Sequence, residues 1–157
     1  MIFLLSNKGR IKIDTIPLKR MNSYKQDTSK KLEAGGVLLG RYIINSKDKI
    51  VDRITVPMIG DKRTRTQFIR GEKMHQRIIT SAWKKSNKTS NYLGEWHTHP
   101  EKYPSPSSQD FKNWKEILST RTFSSLYLYF LIVGIKEINI WEGNRRTLKI
   151  KQLRRFD

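Results

Sequence analysis

The chain has 157 residues, with 32 Lys and Arg against 14 Asp and Glu for a formal charge of +18, and no cysteine. That length is enough to bury a core in one domain without disulfides or a structural metal. The absence of cysteine excludes thiolate nucleophiles, disulfides and Cys-ligated zinc clusters, and it fits a reducing compartment. The positive charge attracts nucleic acid, anionic membrane or an acidic protein, and says nothing about fold. Basic residues are spread along the chain rather than gathered in a tail, so a solvated basic surface and a nucleic-acid groove both stay open. The opening MIFLL has no basic segment before it, and the longest apolar run, 126–134, falls far short of the ~20 residues of a membrane span. These features predict a soluble cytoplasmic protein with no membrane segment.

In chain order, Met1 to Leu5 and Arg10 to Ile13 flank Ser-Asn-Lys-Gly, which predicts an opening hairpin. A helix is expected over Ile16 to Lys31, with Asp14 or Thr15 as cap and Pro17 in its first turn, although its middle is polar. Val37 to Ile44 reads as a buried strand after the pair Gly35-Gly36. Lys49 to Met58 reads as a second strand, Asp61 to Thr66 as a basic loop, and Gln67 to Arg70 as a short extended piece. Glu72 to Lys85 is predicted helical, with His75, Ile78, Ile79, Ala82 and Trp83 on one side. A strand over Tyr92 to His97 leads into a proline-rich irregular segment, Pro100 to Pro106. Ser107 begins a helix with core face Phe111, Trp114, Ile117 and Leu118. Leu126 to Gly134 reads as a central strand, and Glu137 to Leu153 as a hairpin turning at Gly143-Asn144. The order gives an α+β (α/β) class: one domain over 1–157, a mixed sheet flanked by helices.

The chemistry concentrates in residues 94–110, GEWHTHPEKYPSPSSQD. His97 and His99 stand at i and i+2 of an extended segment, so both imidazoles face one side and Thr98 faces the other. Imidazole is a standard zinc ligand, and one carboxylate completes a three-ligand set with a fourth position for water. Asp110 is the nearest carboxylate with a defined place, because the proline segment folds the first helical turn back over the strand. Zinc would lower the pKa of its water to ~7. Ser107-x-x-Asp110 is equally a helix-capping pattern. A hydrolytic site also needs a base, for which Glu33, Glu72, Glu95 and Glu101 are the candidates. Glu72 opens a helix and suits its dipole, and Glu101 lies in the proline segment. Glu95 shares the pleat face of His97, and Glu33 sits at the mouth of a buried strand. Spacing leaves Glu33 and Glu95 both open. His75 has no special role in this reading.

The combination EAGGVLLG (Glu33 to Gly40), HTHP and Ser107-x-x-Asp110 resembles the JAB/JAMM (MPN domain) metalloproteases. Their pattern is a glutamate before a Gly-containing strand, His-x-His-Pro, seven residues, then Ser-x-x-Asp. Every position matches, with Thr98 where serine is common. YLGEWHTHPE, PSPSSQD and Trp114 are similar to a branch of small stand-alone bacterial JAB proteins that includes the deconjugating peptidases of CBASS anti-phage operons. The resemblance implies an MPN fold and zinc held by His97, His99 and Asp110. It implies Glu33 as the base that activates water and carries the proton to the leaving amine, and Ser107 as the oxyanion donor. It further implies a protein substrate with a flexible C-terminal tail, a ubiquitin-like or CD-NTase-like conjugate, cut after that tail. Trimming a ubiquitin-like sulfur carrier would use the same residues. A non-catalytic MPN scaffold or nucleic-acid-binding module rests on the charge alone.

Overall fold

The computed structural model describes residues 1–120 and 125–157. Strands β1 (Ile2–Leu4) and β2 (Arg10–Ile13) form the expected opening hairpin. Helix α1 spans Thr15–Asn22, with Pro17 in its first turn, where the ring removes no helical hydrogen bond. It ends well before Lys31, because the polar run after Asn22 offers no apolar face to bury. Strand β3 (Gly35–Tyr42) takes in both glycines and stops short of the predicted end, with Ile43 and Ile44 exposed. Strand β4 is Lys49–Ile54. The stretch read as loop and short extended piece forms a two-stranded hairpin, β5 (Lys62–Arg63) with β6 (Phe68–Ile69). Helix α2 (Glu72–Lys85), strand β7 (Asn91–Thr98) and helix α3 (Ser108–Ser119) follow. Strands β8 (Tyr127–Val133), β9 (Ile138–Asn144) and β10 (Ile150–Gln152) complete the chain. Gly143 and Asn144 lie within β9 rather than at the turn, which runs through Leu148 with its positive φ of 57°.

Eight strands make one mixed sheet, in the order β1-β2-β4-β3-β7-β8-β9-β10. The sheet curls until its ends meet. The Leu4 amide donates to the Arg154 carbonyl (2.9 Å), and the Phe156 amide donates to the Ile2 carbonyl (2.8 Å). The outer edge of β1, an open hydrogen-bonding template, is thereby paired.

The curl gives the sheet two apolar faces. Phe3, Ile11, Ile13, Leu38, Leu93, Trp96, Tyr129 and Leu131 fill the concave side, joined by Met21 of α1. On the convex side, Trp114 and Leu118 of α3 pack on Leu128, Phe130, Ile132 and Trp141. Ala82 of α2 packs on Val37 and Leu39 beside them. Alternate residues of β8 belong to opposite clusters, so its run is apolar throughout, as a strand buried on both faces requires. Trp83, expected on the core side of α2, is half exposed, with the Lys88 ammonium 5.4 Å from its ring centre.

Strand β7 carries the bulge that orients the site. Leu38 pairs with Gly94 and Leu39 with Tyr92, leaving Leu93 as the extra residue. Gly94 takes φ +145°, and a side chain there would strike the Tyr129 carbonyl. The inserted residue places Tyr92 on the same convex face as Glu95 and His97, while Leu93 and Trp96 point into the core.

His75 is fully buried. Its Nδ1 lies 2.6 Å from Thr55 Oγ1, and its Nε2 lies 3.0 Å from both oxygens of Asp61. Asp61 in turn accepts from the amides of Met58 (2.8 Å) and Gly71 (2.7 Å). This network clamps both ends of the loop that carries β5 and β6, so the histidine left without a role is a buried tie between helix, strand and loop. Among the described residues, no helix is long and apolar enough to cross a membrane.

Candidate metal centre

The two histidines reach the site from the same face at the end of β7. His97 is in the strand, and His99 follows it, fixed by its amide donating to the Val133 carbonyl (3.0 Å). The proline segment then docks on the β8–β9 turn: the Ile135 amide donates to the Glu101 carbonyl (2.7 Å), and Asn139 donates to the Pro104 carbonyl (3.2 Å). This docking returns the chain to the strand in time for α3. Ser107 is the N-cap of that helix. Its Oγ accepts from the Asp110 amide (3.0 Å), and its own amide donates to Asp110 Oδ2 (2.7 Å), a reciprocal capping box. One turn on, Trp114 stacks on Phe130 at 4.8 Å between ring centres and fixes the helix against the sheet.

The result is a convergent donor set. His97 Nε2 and His99 Nε2 lie 2.9 Å apart, and the two oxygens of Asp110 lie 3.2 and 3.3 Å from them. One ligand atom from each of the three residues falls within 4.8 Å of the others, so this group could hold a metal ion. Two imidazoles and a carboxylate with an open side are the donor set of a site that keeps one position for water or substrate. The capping box matters to that set, because it fixes the carboxylate that bridges the two rings. Burial pushes the Asp110 carboxyl up, but the hydrogen bonds of His97 and His99 outweigh it and hold the group far below the usual carboxylate range. Burial pulls the His99 imidazolium down, yet the Asp110 hydrogen bond and the charges of Asp110, Glu33 and Glu101 leave its pKa raised.

Glu33 lies two residues before β3, buried, with Oε1 3.9 Å from His99 Nε2. Burial lifts its carboxyl from near 4.5 to about 7, with Asp110 and Glu101 adding to the rise and His99 opposing it. The β5–β6 hairpin holds this residue from outside. The Glu33 amide donates to the Thr64 carbonyl (2.8 Å), Arg63 Nε donates to the Glu33 carbonyl (2.6 Å), and the Phe68 backbone weakly opposes the rise of the carboxyl. The Phe68 ring lies where a side chain on Gly35 would project, so glycine there leaves room for the hairpin to close over β3. The sequence carries no signal for these contacts, because strands of two residues have no readable period.

Glu95, the other carboxylate that spacing leaves open, is occupied elsewhere. Its Oε1 accepts from Arg70 Nε (3.0 Å), Arg70 Nη2 (2.7 Å) and the Tyr92 hydroxyl (3.1 Å). Glu101 turns back to accept from the Ser105 amide (3.0 Å), with Oε2 3.7 Å from His99 Nδ1. Glu72 is in the first turn of α2. Glu33, Glu95, His97, His99, Ser107 and Asp110 line one open cleft of about 810 Å³ between the β5–β6 hairpin and α3.

The family model for prokaryotic homologs of the JAB domain matches residues 18–146, and the chain belongs to that family. A CD-NTase/cGAS isopeptidase of Escherichia coli strain TW11681 is 33% identical over 156 residues, 99% of this chain and 94% of the relative. Proteins of the same description from Pseudomonas aeruginosa and Vibrio cholerae are each 34% identical, over 73% and 83% of this chain and 72% and 80% of their own lengths. The solution structure of a Desulfitobacterium hafniense protein superposes with a TM-score of 0.57 at 21% identity, covering 90% of this chain and 88% of the other, which extends the likeness to the fold.

Proposed function

We propose that this chain is a zinc-dependent isopeptidase that releases a CD-NTase-like protein from a conjugate by hydrolysing the bond after its C-terminal tail. The observation that carries the reading is the placement of a buried carboxylate, Glu33, beside a three-residue donor set at the floor of an open cleft. The relatives described as CD-NTase/cGAS isopeptidases support the substrate class.

His97, His99 and Asp110 would hold the zinc, which supplies a Lewis acid for the scissile carbonyl and acidifies water at neutral pH. Glu33 takes the proton of the attacking water. Burial of the Glu33 side chain favours its holding that proton until it passes to the leaving amine. Ser107 Oγ uses one lone pair to accept from the Asp110 amide, so its own proton stays available for the developing oxyanion. Arg70 neutralises Glu95, which keeps a second carboxylate in the cleft from competing for the proton.

The test is direct. Purified protein should hold one zinc per chain and cut a CD-NTase joined through its C-terminus to a lysine side chain, and chelation should stop the cut. Glu33→Ala should retain zinc and lose cleavage. Cleavage by the metal-free protein, or by Glu33→Ala at the wild-type rate, would refute the reading.

A further inference from the structure

Gln26 lies in the polar run after α1 and is 1% exposed. Its Nε2 donates to the carbonyls of Arg65 (2.8 Å) and Lys31 (3.3 Å), and its Oε1 accepts from the Thr98 hydroxyl (2.9 Å). Thr98 Oγ1 accepts in turn from the Ala34 amide (2.9 Å). Two carbonyls can only accept, so the amide has a single workable orientation, and every proton in the chain of bonds then has a fixed direction. A buried polar group so fully satisfied rigidifies what it joins, and breaking one bond leaves others unpaired.

The segments that meet at Gln26 are those that set the site. Thr98 stands between His97 and His99. Ala34 follows Glu33, and its carbonyl accepts from the Thr98 amide (2.8 Å). Arg65 sits in the turn of the β5–β6 hairpin, whose Arg63 and Thr64 hold the Glu33 backbone. We propose that Gln26 is a positioning residue, which locks the Glu33 backbone and the hairpin above it to the strand bearing the two histidines. It touches neither substrate nor metal ligand and acts through Thr98 and Arg65. The proposal rests on the reading of Glu33 as the base for its kinetic consequence, and on geometry alone for its structural one.

The test compares Gln26→Leu, Thr98→Val, Thr98→Ser and the double variant that combines Gln26→Leu with Thr98→Val, each zinc-loaded. Misplacing a catalytic group by about an ångström costs up to about a hundredfold in rate. Gln26→Leu should therefore lower kcat by about tenfold to a hundredfold, change KM by less than about threefold and keep its zinc. Thr98→Val should do the same, Thr98→Ser should restore the rate, and the double variant should lose no more than the worse single one, because the two act as one unit. Exchange of the Glu33 and Ala34 amides should speed up in Gln26→Leu. The proposal is overturned if those amides exchange at the wild-type rate in a folded Gln26→Leu, or if the two losses multiply in the double variant. If Gln26→Leu does not fold, Thr98→Val decides by the same two readouts. A wild-type protein that cleaves nothing refutes the isopeptidase reading, and amide exchange still decides the positioning claim.

Discussion

The Glu33 carboxylate stands 3.9 Å from Nε2 of His99, on a backbone that a hairpin of two-residue strands holds by two hydrogen bonds. This pairing joins the first half of the chain to the second at the point where chemistry would occur. It also carries a cost, since a carboxylate there is desolvated.

That cost gives Glu33→Gln two opposite effects. General acid–base groups contribute about 10²- to 10⁴-fold, so the rate should fall by that order while zinc is retained. Stability of the metal-free protein should move the other way. Burial raises the folded carboxyl from near 4.5 to about 7, so the folded state binds the proton more tightly than the unfolded chain. The wild type is therefore favoured at low pH and loses that advantage as pH rises from the unfolded value through about 7. Above neutrality, metal-free Glu33→Gln should be the more stable protein by roughly 3 kcal/mol at most, and the two should converge at acid pH. Urea unfolding in chelator across this range checks the divergence, and a variant destabilised at alkaline pH would contradict it.

Most of the donor set was legible because it is local. His97 and His99 share a strand face by period, and Ser107-x-x-Asp110 is compact enough to read as one helical turn. Glu33 is different: spacing left it level with Glu95, and the resemblance to the family favoured it. The structure separates the two physically, since Arg70 and Tyr92 occupy Glu95. What could not be read were partners made by non-local bonds. Gln26 sits in a run that looks like plain loop, His75 has the spacing of an ordinary core residue, and the β5–β6 hairpin has no period at all. The overrun of the first helix has the same origin, for caps and prolines mark where a helix starts more clearly than polar residues mark where its buried face ends.

Metal binding should release protons. In the metal-free site His99 has a raised pKa and so does Glu33, so near neutral pH part of the population carries a proton on each. A divalent cation needs the bare His99 nitrogen and favours the ionised Glu33. Lowering the pH should therefore weaken zinc affinity, and raising it should strengthen affinity until both groups are deprotonated. Calorimetric titration of zinc into metal-free protein, in buffers of differing ionisation enthalpy, should show net proton release, and identical heats in all buffers would contradict the arrangement.

The proposed function gives Ser107 a second task beside capping, and substitution can separate the two. As N-cap it satisfies the Asp110 amide, and replacing such a residue by Ala costs about 0.5–2 kcal/mol, whereas Gly costs only a few tenths. As oxyanion donor its removal costs about 10²- to 10³-fold in kcat. Ser107→Gly should therefore remain nearly as stable as wild type and still lose the rate, while Ser107→Thr should retain much of both. Parallel thermal melts and kcat values for Gly, Ala and Thr variants decide this. A Ser107→Gly enzyme with the wild-type kcat would leave Ser107 only its capping role.

The seam where the sheet closes includes the Asp157 side chain. Asp157 Oδ1 accepts from the Ile2 amide (3.1 Å) and from Arg155 Nε (3.1 Å), and Oδ2 lies 3.6 Å from the N-terminal ammonium. The Ile2 hydrogen bond foremost, and Arg155 after it, hold the carboxyl down at about 2. A depressed folded pKa means the contact contributes above the ordinary value of 3.8 and is lost as pH falls from there through about 2. Because the group is exposed, the effect is local to the seam. The Ile2 amide should lose protection over that acid range before the β8 amides do, and Asp157→Ala, which removes the acceptor, should show the same loosening of Ile2 at neutral pH. If Ile2 exchanges no faster in Asp157→Ala than in wild type, the backbone pairing of β1 with Arg154 and Phe156 closes the sheet without help from the side chain.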